Sequence, residues 1–450
     1  MKRIIDSFLL EWKNRSNRKP LLLRGARQVG KTYSMRALGK TFTTFVEINL
    51  EANAEAKNII EKDMDPTRIV RQLSELLQID IIPGSTLLFF DEIQISPQAI
   101  TTLRYFFEQM PELHVAAAGS LLDFAIDQVG IPVGRVSSLF MYPLSFLEFL
   151  AARGHRKWVK LIIKQEFEKP LGEAVHKKLL GLIGEYLAIG GMPEAINQWT
   201  KTKKSREAKI VHSDLIFNYQ QDFGKYAKKH QIKYLNLLFE KAADQIGNKF
   251  MFNRVGEYQK RELEPALHLF EKAGLVHKII CSSGQGIPLG AQAKPNDFKI
   301  IFLDVALTQN VLKLDIVPWL LTPEATLINS GPIVEAFVGQ ELLAYSDPIS
   351  KQSLFYWRKQ KQASQAEVDY LTQIQDKVVP IEVKAGGSKR IKSMQIFLES
   401  HPNSTYGIKF SANEYETYKK INNYPLYAIA KPFSDVSDLL QEALLNLTKV

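Results

Sequence analysis

The feature that most constrains this chain is a glycine-rich loop that directly follows a short apolar run. The run LLLR leads into GARQVGKT, where Gly25, Gly30, Lys31 and Thr32 keep the spacing GxxxxGKT. Glycines let backbone N–H groups curl around phosphate oxygens, the lysine reaches the β and γ oxygens, and the hydroxyl binds Mg²⁺. We therefore predict a P-loop, with nucleotide contacts from Gly25, Ala26, Arg27, Gln28, Val29, Gly30, Lys31, Thr32 and Tyr33.

A second strand-like run, TLLFFDE, supplies the acids that such a loop needs. We expect Asp91 to hold Mg²⁺ through water, with Thr32 as the other metal ligand. Glu92 is expected to orient and deprotonate the attacking water. The following strand ends in Gly119-Ser120. If the strands have the usual neighbouring order, Ser120 lies beside the γ-phosphate as a sensor, and capping a helix is its alternative role.

Phosphoryl transfer also needs an arginine to neutralise the charge that spreads over the transferred group. Arg135, in the stretch IPVGRVSS, is the first candidate and Arg104 is the second. The arginine can come from the same chain or from a neighbouring copy, so a homo-oligomer is compatible with the sequence. Arg24 and Arg27 precede the lysine of the loop, and we expect them to form surface ion pairs.

Hydrophobic patterning places the loop in an α/β unit. From residue 20 to about residue 150, short apolar runs alternate with amphipathic stretches, which predicts a parallel sheet. The expected helix starts carry capping residues: Asp65 and Ser96, each before a proline, and Ser145 with Glu148. With 450 residues, the chain is long enough for three or four such units.

The net charge of +10 is concentrated in one segment. Residues 151–230 read as helices, and between Arg153 and Lys233 there are seventeen basic and eight acidic side chains. A surface that faces a polyanion such as DNA or RNA is one interpretation of this excess. A solvated helical face is the other, and the sequence leaves both open.

Residues 231–322 have the element order of a winged helix. Two helical stretches lead into the strand-like runs VHKIICSSG and KIIFLDVAL, which flank a glycine-rich loop. Lys260 and Arg261 at the start of the second helix are followed by Glu262 and Glu264. This mixed charge leaves DNA contact and protein contact as equal alternatives for the module.

The last part of the chain contains a second candidate site. EVDYLTQI and VVPIEVKA are alternating strands, and a turn at Gln375-Asp376 would set Asp369 opposite Glu382 and Glu367 opposite Lys384. Facing carboxylates repel, so we expect Mg²⁺ or Mn²⁺ between Asp369 and Glu382. Lys384 could then stabilise a developing anion. An exposed hairpin of surface residues is the alternative.

An upstream helix could complete that site. The stretch PIVEAFVGQELL is predicted to form an amphipathic helix, and its Glu335 or Glu341 could add a carboxylate. A connector with Pro318 and Pro323 precedes it. Helix, strand, and then D-x(12)-E-x-K on a hairpin is the arrangement found in PD-(D/E)xK nucleases.

Taken together, GARQVGKT, TLLFFDE, AAAGS, LAIGGMPEAI, KIIFLDVAL and EVDY…VVPIEVKAG resemble bacterial and archaeal AAA-type ATPases with a C-terminal domain of unknown function. The resemblance implies ATP binding, and ATP hydrolysis with Lys31, Thr32, Asp91 and Glu92. It implies an AAA-type domain at 1–150, a basic helical lid at 151–230, a winged helix at 231–322 and a restriction-endonuclease-like α/β domain at 323–450. Valine stands before Asp369, where the nuclease motif has proline.

Composition and hydropathy limit the classes of protein to which the chain can belong. The single cysteine, Cys281, excludes an internal disulfide framework and fits a reducing cytoplasm. No apolar run approaches the ~18 to 20 residues of a membrane span, so we expect a cytoplasmic protein with no membrane partner. One hypothesis is an ATP-driven enzyme that acts on nucleic acid through a metal-dependent nuclease-like domain. The alternative is a nucleotide-controlled switch with a silent C-terminal domain, and a protein remodeller is a third.

Overall fold

Two β-sheets organise the protein. The computed structural model describes residues 1–359, 366–386 and 391–449. A five-stranded parallel sheet has the order β2-β3-β4-β1-β5, and an eight-stranded mixed sheet has the order β12-β13-β11-β10-β9-β8-β6-β7. Helices pack against both sheets.

The N-terminal sheet confirms the predicted parallel α/β unit. Its strands fall on short apolar runs of the alternating pattern: β1 Leu21–Arg24, β2 Thr44–Asn49, β3 Thr86–Asp91, β4 His114–Ala118 and β5 Ser137–Phe140. Its helices are α1 Ile4–Asn14, α2 Lys31–Gly39, α3 Ala54–Lys62, α4 Pro66–Leu77, α5 Pro97–Gln109, α6 Leu122–Val129 and α7 Phe146–Ala152.

Both faces of this sheet are covered, as expected for parallel strands. Leu21 and Leu23 of β1 face one hydrophobic core, which includes α1 and α2. Leu22 faces the other core, which is built from α3, α4, α5 and α6. The side chains of Asp65 and Ser96 cap α4 and α5 as predicted.

The chain is then helical, as the sequence predicted. The helices are α8 Arg156–Lys164, α9 Glu173–Ile189, α10 Pro193–Thr202, α11 Ser205–Tyr226, α12 Ile232–Ala242 and α13 Lys260–Ala273. No single helix among the described residues is long and apolar enough to cross a membrane. The bent pair α9 and α10 reaches that length only when the two helices are joined.

The second sheet crosses a predicted domain boundary. Its strands are β6 Val276–Ser282, β7 Ala293–Phe302, β8 Leu354–Arg358, β9 Glu367–Ile374, β10 Lys377–Lys384, β11 Gly407–Ser411, β12 Glu416–Tyr418 and β13 Ile421–Pro425. The hairpin β6–β7, which we expected to be the wing, pairs through β6 with β8 in parallel. The proposed units 231–322 and 323–450 therefore share one sheet, and their boundary stays a prediction.

The remaining helices correct two predictions. They are α14 Val305–Val311, α15 Val317–Leu321, α16 Pro323–Asn329, α17 Gly331–Ala344, α18 Lys392–Ser400, α19 Lys431–Ser434 and α20 Asp438–Asn446. The expected connector with Pro318 and Pro323 is wrong, because both prolines lie in the first turns of α15 and α16, where a missing N–H costs nothing. The predicted amphipathic character of α17 is also wrong, since this helix is buried on nearly all sides.

One acid of α17 belongs to the interface with the N-terminal unit. Glu341 is 1% exposed, and its two carboxylate oxygens accept hydrogen bonds from the backbone N–H of Phe146 at 3.0 and 3.1 Å. This N–H is one of the unpaired donors at the start of α7. Glu341 therefore serves as a helix cap, and only Glu335 remains available for the C-terminal candidate site.

We predict that Glu341→Ala lowers the free energy of unfolding by about 1–3 kcal/mol, because the buried Phe146 N–H loses its acceptor. Glu341→Gln should lose less, since the amide oxygen still accepts the bond. Denaturant midpoints of both variants, with the exposed Glu442→Ala as control, test this. An alanine variant with the wild-type midpoint would contradict the capping role.

Candidate functional site

The predicted P-loop lies between β1 and α2, and its first glycine is required by packing. A side chain at Gly25 would place its Cβ 2.2 Å from the carbonyl oxygen of Met141, in the segment after β5. Gly30 has a φ of 102°, in the region that favours glycine, and it directly precedes the first residue of α2. The loop therefore ends on a helix N-terminus, where backbone N–H groups suit an anion.

The lysine of the loop folds back on the loop itself. Lys31 Nζ donates to the carbonyl oxygens of Gly25 at 3.1 Å and Ala26 at 2.7 Å. Burial lowers the pKa of Lys31 to about 8, although Glu92 and Asp91 act in the opposite direction. The ammonium group thus has weak carbonyl partners, which the phosphates of a nucleotide could replace with stronger ones.

Thr32 and Asp91 meet at the carboxyl ends of β1 and β3. Thr32 Oγ1 donates to Asp91 Oδ2 at 2.9 Å. Burial raises the pKa of Asp91, although the hydrogen bond from Thr32 acts to lower it. A hydroxyl and a carboxylate at hydrogen-bond distance are hard oxygen donors of the kind that Mg²⁺ prefers, so these residues fit the predicted ion.

Glu92 and Ser120 line one cavity beside the loop. Strand β4 lies between β3 and β1, so its carboxyl end at Ser120 lies between Asp91 and the P-loop. A cavity of about 180 Å³ is lined by Glu92 and Ser120 together with Arg27 and with Lys225 of α11. Glu92 has a φ of 52°, an uncommon conformation for glutamate that is often found at functional sites.

The arginines near the loop form the expected ion pairs, but these pairs are partly buried and do not lie at the surface. Arg24 pairs with Asp123 and Arg27 pairs with Asp222 of α11. The two arginines predicted to neutralise the transferred phosphoryl group, Arg135 and Arg104, lie elsewhere. Both bind the same oxygen of Glu108, at 2.8 and 3.0 Å. The side chain of Arg135 is 43% exposed. This position leaves Arg135 accessible to a neighbouring molecule.

The C-terminal hairpin has the predicted register. Lys377 pairs with Ile374 and Ile381 with Tyr370 across the Gln375-Asp376 turn. Continued by one pair, this register brings Asp369 opposite Glu382.

Contacts on β10 extend this arrangement. Asp369 Oδ2 accepts a hydrogen bond from the N–H of Val383 at 2.7 Å. Lys384 Nζ lies 2.5 Å from Glu382 Oε1.

A lysine from β7 enters the same group. Lys299 is 1% exposed, and its Nζ lies 2.9 Å from Glu335 Oε1 and 2.5 Å from Glu367 Oε1. Burial alone would lower the pKa of Lys299, but Glu335, Asp369 and Glu367 together raise it. Lys299 is therefore a charged, buried counter-ion for these carboxylates. We call Lys299, Glu335, Glu367, Asp369, Glu382 and Lys384 the C-terminal cluster.

The fit of this cluster to a divalent ion rests on Glu382. This residue is 5% exposed, and its Oε2 has no hydrogen-bond partner among the described residues. Burial and the nearby Asp369 raise its pKa to about 7. No group of three or more His, Cys, Asp or Glu side chains in the described ranges has metal-binding spacing. Two carboxylates still fit Mg²⁺, which also takes water and substrate oxygens.

Two charged residues of these sites were not found from the sequence. Arg3 contacts the back of the P-loop from the start of α1, and Lys299 joins the C-terminal cluster from β7. Both lie far along the chain from the motifs that they contact. Burial of an arginine or a lysine follows from tertiary packing. The sequence pattern of β7 does not indicate that Lys299 is buried.

A five-stranded parallel sheet with a P-loop after β1 and an acid pair at the end of β3 is the arrangement of a P-loop ATPase fold. Accordingly, residues 17–150 match the model of the AAA domain family. Residues 181–316 and 330–429 match two families that are each described as a domain of unknown function, DUF8612 and DUF4143. None of the curated proteins compared with the chain matches it.

Several solved structures resemble the protein at low identity. They include the Walker-type ATPase PABY2304 of Pyrococcus abyssi (14% identity, 68% of this chain, 94% of that chain, TM-score 0.44). DnaA of Aquifex aeolicus bound to AMPPCP is 15% identical over 59% of this chain and 77% of its own, with a TM-score of 0.27. The Orc1 protein of Aeropyrum pernix in complex with DNA is 14% identical over 70% and 92%, with a TM-score of 0.26. With TM-scores below 0.5, what these proteins bind says nothing about this chain.

Nucleotide binding should be coupled to proton uptake at alkaline pH. Because the pKa of Lys31 is about 8 without nucleotide, at pH 9 most of the protein has a neutral Lys31, and bound phosphates raise that pKa. ATP binding should then take up close to one proton at pH 9 and about 0.1 proton at pH 7. Calorimetric titrations in two buffers of different ionisation enthalpy measure this uptake. Equal uptake at both pH values would contradict the role of Lys31.

Proposed function

We propose that the protein is an AAA-type ATPase that hydrolyses ATP at the P-loop. The observation that carries this proposal is the meeting of Thr32 Oγ1 and Asp91 Oδ2 at 2.9 Å beside Lys31. When bound, Mg²⁺ would neutralise charge on the β and γ phosphates. Lys31 holds the phosphates, Glu92 orients and deprotonates the water, and Ser120 contacts the γ-phosphate from β4.

The missing part of this site is an arginine, and we propose that a second copy of the chain supplies it. Arg135 lies at the surface, beside Glu108 on α5, which supports a role in a neighbouring site of a homo-oligomer. If the guanidinium of Arg135 left Glu108 and bound phosphate oxygens of the neighbouring site, its positive charge would remain paired.

Two substitutions separate binding from hydrolysis. Lys31→Met should abolish ATP binding, whereas Glu92→Gln should keep it and lower kcat by about 100-fold or more, because only the general base is lost. Fluorescent-nucleotide titration and a phosphate-release assay measure the two effects. Glu75→Gln, an exposed glutamate of α4, is the matched control. Hydrolysis by Glu92→Gln at the wild-type rate would contradict the assignment.

We further propose that the protein acts on nucleic acid through the C-terminal cluster. The grouping of Asp369, Glu382 and Lys384 supports a metal-dependent phosphodiesterase site, with Mg²⁺ or Mn²⁺ between the carboxylates. The Oε2 of Glu382, which finds no hydrogen-bond partner in the described part of the chain, supports the same assignment. Lys384 would stabilise the developing negative charge on the phosphate.

The basic excess of the lid supports a polyanionic substrate. Exposed cations cluster where α10 ends and α11 begins: Lys201, Lys203, Lys204 and Arg206. In the proposed winged helix, by contrast, Lys260 pairs with Glu264, and Glu262 accepts a hydrogen bond from Tyr234. These pairings favour the lid over α13 as the surface that binds DNA or RNA.

Two buried contacts support control of the cluster by nucleotide. Asp304, at the end of β7, accepts a hydrogen bond from Gly191 N at 2.6 Å, and the neighbouring Pro193 approaches Gly30 of the P-loop. Glu341 joins α7 to α17, the helix that carries Glu335. Movement of the lid or of α7 would therefore reach β7 and α17.

Lys299 supports a second candidate function. Its ammonium group pairs with Glu335 and Glu367. Lys384 pairs with Glu382, so part of the negative charge of the cluster is compensated without a metal ion. In that case the protein is a nucleotide-controlled switch, and its C-terminal domain binds a partner without catalysis.

Cleavage assays discriminate the two candidates. With Mg²⁺ or Mn²⁺, the wild-type protein should cleave at least one of plasmid, linear DNA, single-stranded DNA or RNA. Asp369→Ala and Lys384→Ala should abolish the cleavage because the metal ligand or the anion stabiliser is lost. Asp376→Ala, in the exposed turn of the same hairpin, is the control and should cleave normally. No cleavage under any condition would exclude the nuclease and leave the switch.

A further inference from the structure

Arg3 makes an unusual set of contacts for a residue outside the AAA domain match, which begins at residue 17. It is 6% exposed and directly precedes α1. Its Nη1 donates to the carbonyl oxygen of Val29 at 2.9 Å, and its Nη2 donates to that of Tyr142 at 2.7 Å. Its Nε donates to Glu148 Oε1 at 2.9 Å. One buried guanidinium thus joins three separate parts of the N-terminal unit.

The contact with Val29 has a direct geometrical effect on the P-loop. The carbonyl of Val29 and the N–H of Gly30 belong to one planar trans peptide unit, so they point in opposite directions. Arg3 holds the carbonyl toward the back of the loop. The N–H of Gly30 is thereby directed away from Arg3, toward the front of the loop, where the phosphates of a nucleotide would bind.

Glu148 fixes the guanidinium in this position. The same Oε1 that accepts from Arg3 also accepts from the N–H of Ile4 at 2.6 Å, and Oε2 accepts from the N–H of Ser145 at 2.8 Å. This carboxylate is 2% exposed, so the ion pair is shielded from water. Three donors of one planar fork are used in three directions, which an ammonium group on a flexible stem cannot reproduce.

We propose that Arg3 is a positioning residue for nucleotide binding, which acts by orienting the peptide unit between Val29 and Gly30. The inference rests on the proposed nucleotide site. Its ligands are nucleotides that carry a β-phosphate, because the P-loop backbone surrounds the α and β phosphates. ATP and ADP should therefore depend on Arg3 to the same extent, and AMP should not.

The test is the affinity of Arg3→Lys for nucleotides. This variant keeps the buried charge that Glu148 needs but cannot maintain all three hydrogen bonds. The dissociation constants for ATP and ADP should rise together, on the order of 10-fold, the equivalent of about one lost hydrogen bond to a charged donor. Titrations with fluorescent ATP and ADP measure this, and AMP is measured by competition.

A second variant and a control separate positioning from stability. The double variant Arg3→Met/Glu148→Gln removes the pair without leaving a lone buried charge, and the glutamine still has an oxygen to accept a backbone N–H. It should show the same loss of affinity as Arg3→Lys. Arg15→Lys, at the exposed residue that follows α1 and pairs with Glu11, should bind like wild type. Unfolding temperatures without nucleotide show how far each change affects the fold alone.

The outcomes distinguish this inference from the proposed function. If wild type binds no ATP, the nucleotide site itself is wrong. Suppose instead that wild type binds ATP and that Arg3→Lys binds both ATP and ADP as tightly as wild type does. Arg3 then has only a structural role, and the inference is overturned. That conclusion holds even when the unfolding temperature of the variant falls.

Discussion

The burial of α17 against the second sheet, with one of its polar side chains reaching α7, is the constraint on which the arrangement of the protein depends. A helix that is apolar on nearly all sides cannot lie at a surface, so the elements around it must close over it. Its polar side chains are therefore fixed by partners in both halves of the molecule. Glu341 caps α7 beside the nucleotide-binding unit, and Glu335 binds Lys299 in the second sheet. One helix thus contacts both the N-terminal unit and the C-terminal cluster.

Local sequence patterns predicted those parts of the structure in which neighbours along the chain determine the outcome. The five strands of the first sheet, the caps at Asp65 and Ser96, and the hairpin register at Gln375-Asp376 follow from alternation and turn position. The residues around Lys31 and Asp91 were predictable for the same reason, because their motifs are short. The prediction failed for α17, which was expected to be amphipathic: its sequence is apolar on nearly all sides, and the helix is buried.

Long-range ion pairs could not be predicted in this way. Lys299 stands in a strand that reads like any half-buried strand, and its carboxylate partners are 36 and 68 positions away. Arg3 and Glu148 are separated by 145 positions. Such pairs form only after the tertiary structure has brought their elements together, and burial then makes them costly to break. The same contacts link each motif to the rest of the molecule, so the motifs alone describe the two sites incompletely.

The collision at Gly25 has a consequence for how the loop motif is interpreted in any relative of this chain. Because an added Cβ would meet the carbonyl of Met141 at 2.2 Å, the glycine is needed for the segment after β5 to pack, whether or not a nucleotide binds. A relative that bound no nucleotide would still need this glycine for the same packing. Lys31 and Thr32 are more informative about nucleotide binding, because their side chains carry the groups that are proposed to contact the phosphates and Mg²⁺.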